Sequence, residues 1–154
     1  MPAAGRPLIA TTDDVLKIEH LFDAPCDLVF ALWSDRAHVL RWWGPRGYRL
    51  SHCEMEFRVG GSFRFCMSGP HDHWIRGVYR EITPPSRLVF TYINEADGHE
   101  MLVTLRFTPR GKQTVMHFHQ APFMNVRERD GHNGGWSDTF EMLDEYIATL
   151  GSAP

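Results

Sequence analysis

Residues 129–136 read Arg-Asp-Gly-His-Asn-Gly-Gly-Trp and open the strongest helical pattern in the chain. Glycine is a poor helix former, so three glycines in eight residues indicate that another group lies close to the backbone there. His132 and Trp136 are four residues apart, which places them on one helix face. This stretch predicts either one wall of a ligand pocket or the entrance of a helix that packs tightly on a sheet.

The residues that follow predict an amphipathic helix over 136–150. Apolar side chains recur there at spacings of three and four, and acidic side chains occupy much of the other face. The apolar stripe consists of Trp136, Phe140, Leu143, Ile147 and Leu150. The acidic residues are Asp138, Glu141, Asp144 and Glu145. This helix should bury one side, and Phe140, at the centre of the stripe, should be a core residue.

Most of the remaining chain alternates between apolar and polar residues, which is typical of half-buried strands. A first strand is predicted over 15–22, and two short helices follow it, the first with Pro25 in its first turn and the second capped by Asp35. Six further strands, separated by turns, are predicted over 48–57, 62–68, 74–82, 87–94, 100–108 and 113–121. Short connections favour antiparallel pairing. We therefore predict an α+β fold in which a curved, antiparallel seven-stranded sheet wraps around the C-terminal helix.

The composition is that of a globular protein, with 43% hydrophobic residues in 154. We predict a flexible N-terminal tail over 1–12 and a single domain over 13–151. A net charge of −3 without a basic run argues against binding to nucleic acid, and no apolar run is long enough for membrane insertion. Cys26, Cys53 and Cys66 lack metal-binding or redox spacing, which predicts free thiols and a cytoplasmic location.

Five motifs between residues 15 and 150 resemble, in order, the family related to the C-terminal domain of the activator of the heat-shock-protein-90 ATPase. They are Trp-Trp-Gly-Pro at 42–45, Arg-Val-Gly-Gly-Ser-Phe at 58–63, Gly-Val-Tyr-Arg-Glu-Ile at 77–82, Pro-Pro-Ser-Arg-Leu-Val-Phe-Thr at 84–91, and the Gly-His…Gly-Trp helix entrance. The resemblance implies the START-like (SRPBCC) helix-grip fold of a ligand-binding superfamily. It also implies a bacterial-type, single-domain member without the co-chaperone's separate N-terminal domain.

A sheet that curls around a helix often leaves a cavity, and apolar cavities bind apolar ligands. Strand alternation and the helical stripe select ten residues to line it: Phe63, Phe65, Met67, Tyr79, Phe90, Met116, Phe118, His132, Trp136 and Phe140. His132 and Trp136 should form the mouth. His132 would orient the ligand through one hydrogen bond, while the aromatic side chains would supply affinity by burial.

These features predict a binding protein for a small apolar or aromatic molecule. One alternative is a cyclase- or isomerase-like enzyme that uses the same cavity with Tyr79, Glu81 or His132 as acid or base. Tyr79 and Glu81 share a predicted strand face, but Glu81 could instead pair with an arginine such as Arg64. A second alternative is a stress-related, co-chaperone-like interaction module, as the resemblance suggests.

No cofactor and no metal site are predicted. His117 and His119 share the predicted outer face of a strand, His71 and His73 lie in a predicted loop, and no third ligand has diagnostic spacing. The Trp42-Trp43 pair predicts either a hydrophobic lid or a pair that is half core and half surface. A homodimer is left open by the sequence.

Overall fold

The computed structural model describes residues 13–151, so the tail predicted over 1–12 lies outside the described residues. The strands are β1 Leu16–Phe22, β2 Arg49–Met55, β3 Ser62–Ser68, β4 Asp72–Thr83, β5 Arg87–Asn94, β6 Glu100–Arg110 and β7 Gln113–Ala121. The helices are α1 Cys26–Ser34, α2 Arg36–Trp42 and α3 Val126–Gly151.

The seven strands form one antiparallel sheet in the order β1-β7-β6-β5-β4-β3-β2. The sheet curves around α3, and α1 and α2 follow the first strand. The predicted α+β helix-grip fold is therefore confirmed. Strand β7 shows why alternation was informative: Met116 and Phe118 are buried against the helix, whereas His117 and His119 are half-exposed on the outer face.

The two short helices begin as their local chemistry dictates. Asp35 caps α2, because its side chain accepts a hydrogen bond of 2.9 Å from the backbone N–H of Ala37. The chain leaves α2 through Gly44, which has a φ of +116°. Pro25 is the N-cap of α1 and not a first-turn residue, because its ψ of 158° is extended.

The long helix begins earlier than the sequence pattern indicated. It starts at Val126, so the stretch 129–136 lies inside the helix and is not its entrance. The cause is a reciprocal cap. Asn125 Oδ1 accepts a hydrogen bond from the backbone N–H of Glu128 at 2.8 Å, and Glu128 Oε1 accepts one from the N–H of Met124 at 3.0 Å. The glycines are therefore interior helix residues.

The apolar stripe of α3 fills the concave side of the sheet. Its buried members are Trp136, Phe140, Leu143 and Ile147, and Leu150 packs against them with partial exposure. Polar contacts fasten the same helix to two other elements. Asp144 accepts a hydrogen bond from His20 Nε2 of β1 at 2.9 Å, and His38 Nδ1 of α2 lies 2.7 Å from the hydroxyl of Tyr146. Within residues 13–151, none of the helices combines the length and apolar character of a membrane span.

Candidate functional site

An open pocket lies between the concave face of the sheet and the N-terminal half of α3. Its cavity volume is about 230 Å³. Strands β3, β4 and β5 supply one wall, α3 supplies the second, and the loop after α2 supplies the third. The lining residues are Trp43, Pro45, Tyr48, Met67, His73, Ile75, Tyr92, Asn94, Gly131, His132, Gly135, Trp136 and Thr139.

The α3 wall contains a stripe of small residues. Gly131, Gly135 and Thr139 follow one another at a spacing of four, and all three line the pocket. A Cβ atom at Gly131 or Gly135 would meet nothing within 4 Å outside the helix backbone. Each glycine costs the helix up to about 1 kcal/mol relative to alanine. The space beside these glycines is therefore open. Of the two explanations predicted for them, tight packing on the sheet is wrong.

Trp136 is fixed in the pocket wall by a buried hydrogen bond. Its Nε1 donates to Oε1 of Gln120, an inward-facing residue of β7, at 2.9 Å. Its ring packs against Phe140 and Trp43, with centroid distances of 5.6 and 5.4 Å. Because its N–H is already used, Trp136 can offer a ligand aromatic surface and no hydrogen bond.

His132 lies one helical turn before Trp136 and faces the same pocket. Its ring centroid is 5.6 Å from that of Tyr92 and 5.1 Å from that of Phe123. Burial lowers the pKa of His132, since these neighbours cannot replace the hydration of an imidazolium; His99 lowers it further, whereas the Glu128 and Asp97 carboxylates act in the opposite direction. The imidazole is therefore held in its neutral form near pH 7.

We expect protonation of His132 to destabilise the protein. The folded state binds this proton less tightly than the unfolded chain. Above a pH of about 6.5, His132 therefore does not reduce the free energy of unfolding, and as the pH falls through that value the free energy of unfolding decreases. Denaturant unfolding of the wild type and of His132→Gln at about pH 7.5 and about pH 5 measures this. The wild type should lose more stability than the variant on acidification; equal losses would show that His132 titrates normally.

The loop over 43–48 forms the third wall. Trp43, Pro45 and Tyr48 face the pocket from it. Arg46 fastens the loop to α3, because its backbone N–H donates to the carboxylate of Asp138 and its guanidinium lies 2.7 Å from a carboxylate oxygen of Glu145. These ion pairs are exposed and add little to stability. They do define the position of the loop beside the pocket.

Both residues of the Trp42-Trp43 pair are buried: Trp42 is 2% exposed and Trp43 is 7% exposed. Trp42 Nε1 donates to the carbonyl of Leu32 at 2.9 Å, so its indole is part of the core. Only Trp43 reaches the pocket wall. The expectation of a pair that is half core and half surface is therefore wrong. A lid made of both rings does not form either, because Trp42 is packed in the core against Trp33 of α1.

Three of the ten predicted pocket residues line the open pocket: Met67, His132 and Trp136. Four others surround a separate inner void of about 10 Å³: Phe63, Phe65, Tyr79 and Phe90. The last three are at most 2% exposed and belong to the packed core: Met116, Phe118 and Phe140. The ten do not share one cavity, because aromatic side chains fill the middle of the space between sheet and helix. Which of them contact a ligand stays a prediction.

Tyr92 is a pocket residue that the sequence-based selection missed. It lies two residues after Phe90 on β5, so the alternation that selected Phe90 also pointed to Tyr92. The signal was weak because residues 88–92 are all buried and the strand lacks a polar face. Burial raises the pKa of Tyr92, so its hydroxyl is protonated at any physiological pH.

Tyr79 and Glu81 do not form the acid–base pair considered from the sequence. The pairing of β4 with β5 shifts between these two residues, and this irregularity turns Glu81 away from the face that Tyr79 occupies. Glu81 is half-exposed and forms an ion pair of 3.0 Å with Arg87. The predicted alternative was that Glu81 pairs with an arginine such as Arg64. Glu81 does pair with an arginine, but the partner is Arg87, and Arg64 binds Glu95 instead.

The histidine pairs lie apart from each other. His117 and His119 are on the outer sheet face. His71 directly precedes β4, but His73 is the second residue of that strand, so the prediction of a loop is wrong for His73. Within residues 13–151, no three His, Cys, Asp or Glu side chains are arranged to hold a metal ion.

We predict that elemental analysis of untagged protein will find zinc and iron far below one ion per chain. A near-stoichiometric amount of either metal would contradict this.

The family model described as "Activator of Hsp90 ATPase homolog 1-like protein" matches residues 23–148. The search of curated proteins found no match.

Solved structures resemble this chain over most of its length. A protein from Rhodobacter sphaeroides is 23% identical, with a TM-score of 0.78 over 89% of this chain and 94% of its own. The AHSA1 protein from Silicibacter pomeroyi is 22% identical, with a TM-score of 0.78 over 88% and 99%. A protein from Arthrobacter aurescens is 24% identical, with a TM-score of 0.77 over 90% and 88%. At these identities the likeness establishes the fold.

Proposed function

The chain belongs to the family of activator of Hsp90 ATPase homologue 1-like proteins, and we propose that it binds a small, neutral, apolar or aromatic molecule in the pocket between the sheet and α3. The ligand would contact Met67, His132 and Trp136, with Tyr92 and Trp43 completing the aromatic wall.

The main support for this proposal is the unfilled space beside Gly131 and Gly135. Both glycines lie inside a helix, where alanine would be more stable by up to about 1 kcal/mol, and no atom of the described protein comes close enough to forbid a side chain. A larger residue at either position would extend into the pocket. Retaining glycine there is consistent with keeping that volume open for another molecule.

The size and charge of the pocket restrict the ligand. A cavity of about 150 Å³ accommodates benzene, so a volume of about 230 Å³ suits a molecule of one or two rings. Among the described residues that line the pocket there is no lysine, arginine, aspartate or glutamate. A charged ligand would lose its hydration without gaining an ionic partner, and a neutral ligand is therefore favoured. His132 and Tyr92 provide polar groups for orientation.

We also propose that the protein works in a reducing compartment such as the cytoplasm. Its three cysteines, Cys26, Cys53 and Cys66, are free thiols, and two of them are buried.

Titration with the neutral two-ring hydrocarbon tetralin tests the proposal. We expect saturable binding at one site per chain, with a matching increase in melting temperature. The control is the tetralin carboxylate, which has the same rings and a negative charge and should bind at least about tenfold more weakly. The proposal is contradicted if neither tetralin nor other neutral one- and two-ring compounds changes the melting temperature, or if the carboxylate binds as well as tetralin.

A further inference from the structure

One indole in the core lacks a hydrogen-bond acceptor. Trp33 is 3% exposed, and its Nε1 is a buried donor without a partner among the described residues. The two neighbouring indoles differ from it, since Trp42 donates to Leu32 and Trp136 donates to Gln120, both at 2.9 Å. Buried donors are almost always satisfied, and an unsatisfied one costs free energy. Trp33 therefore lies where an acceptor from outside the protein would be favourable.

Trp33 lines the inner void of about 10 Å³, which lies deeper than the open pocket. Trp43 lines both spaces and is therefore the partition between them. Its ring packs edge-on against Phe65 at 5.0 Å and Trp136 at 5.4 Å between centroids. No other described residue lines both spaces, so passage from the open pocket into the void requires the Trp43 side chain to move.

We infer, on the basis of the proposed function, that the bound molecule passes the Trp43 ring. It then places a neutral hydrogen-bond acceptor, such as a ketone oxygen, against Nε1 of Trp33. The ligand class is then a planar one- or two-ring molecule with an apolar body and a carbonyl or ether oxygen at its inner end.

The surroundings of Trp33 select this chemistry. An indole N–H can only donate, so its partner must be an acceptor. The other residues around the void are apolar or aromatic, and an ionised carboxylate there would be desolvated without a counter-charge. Tyr79, which lines the same void, has its pKa raised by burial and stays uncharged. An uncharged oxygen meets these conditions, whereas a hydrocarbon end leaves the donor unsatisfied.

The test compares 1-tetralone with tetralin, which has the same two rings and a methylene in place of the carbonyl. Trp33→Phe keeps an aromatic ring and removes the N–H. We expect this variant to bind 1-tetralone about five- to tenfold more weakly than the wild type and to bind tetralin within about twofold of it. Trp74→Phe is the matched control, since Trp74 stacks on Arg64 away from the pocket and should change neither affinity.

A spectroscopic readout does not depend on the variant. In ¹H–¹⁵N spectra of the wild type, assigned by triple-resonance experiments, the indole N–H signal of Trp33 should move downfield with 1-tetralone and stay nearly unchanged with tetralin. The inference is wrong if both ligands bind, Trp33→Phe affects them equally and this signal does not move; the proposed pocket function then still stands. If neither of these two ligands binds but another neutral one- or two-ring compound does, the inference is wrong and the proposed function stands; if no such compound binds, both fail.

Discussion

Replacing Phe140 by alanine is expected to lower the free energy of unfolding by about 3–5 kcal/mol. Phe140 is completely buried at the centre of the α3 stripe. Its ring contacts Phe22 of β1, Phe118 of β7 and Trp33 of α1, with centroid distances between 5.6 and 6.3 Å. The substitution removes contacts between the helix and three other elements at once, and the rigid surroundings cannot close the cavity that remains. Denaturant unfolding measures the loss.

The control for this prediction is Val59→Ala. Val59 is 61% exposed in the turn before β3, so removing part of its side chain should change the free energy of unfolding by no more than about 0.5 kcal/mol. If Phe140→Ala destabilises the protein by less than about 1 kcal/mol, α3 does not fill the sheet as described.

Replacing Gly135 by leucine is expected to abolish tetralin binding while leaving the fold intact. The leucine side chain would extend into the pocket from a position where a Cβ meets no neighbouring atom. It would occupy much of a volume of about 230 Å³. Since leucine is a better helix former than glycine, the variant should also be more stable by several tenths of a kcal/mol. Calorimetric titration and thermal unfolding measure the two effects.

Gly134→Leu is the matched control for this experiment. Gly134 is the preceding residue of the same helix, has equally open space beside it and does not line the pocket. It should gain similar helix stability and bind tetralin like the wild type. Equal binding by both variants would show that the ligand lies elsewhere, and equal loss would show that the effect comes from the helix and not from filling the pocket.

The sheet and the antiparallel succession of β2 to β7 were predictable because each strand carries its own signal, whereas the pairing of β1 with β7 was not predicted. In β7, Met116 and His117 already indicate by alternation which face is buried. The short turns then leave antiparallel neighbours as the simplest arrangement. The start of α3 was missed although Asn125 and Glu128 have the spacing of a capping box, because the glycines that follow have low helix propensity.

The pocket was less predictable because alternation tells which face a side chain occupies, not whether the space in front of it is filled. Met116 and Met67 both point to the concave side, yet the first is packed in the core and the second lines the pocket. Filled and open space differ through contacts between residues far apart in the chain, such as Trp43 with Trp136. The shift in pairing after Tyr79 is also set by the neighbouring strand, so it could not be read from β4 alone.

The most direct test of ligand binding between sheet and helix is a titration of ¹⁵N-labelled protein with tetralin, followed by ¹H–¹⁵N spectra. The pocket predicts that the largest shifts occur at the backbone signals of Gly131, His132 and Gly135 and at the indole signal of Trp136. Those four groups lie on the wall that the ligand would cover. Shifts confined to the outer sheet face around Lys17 and His119, or no shifts at saturating tetralin, would contradict the account.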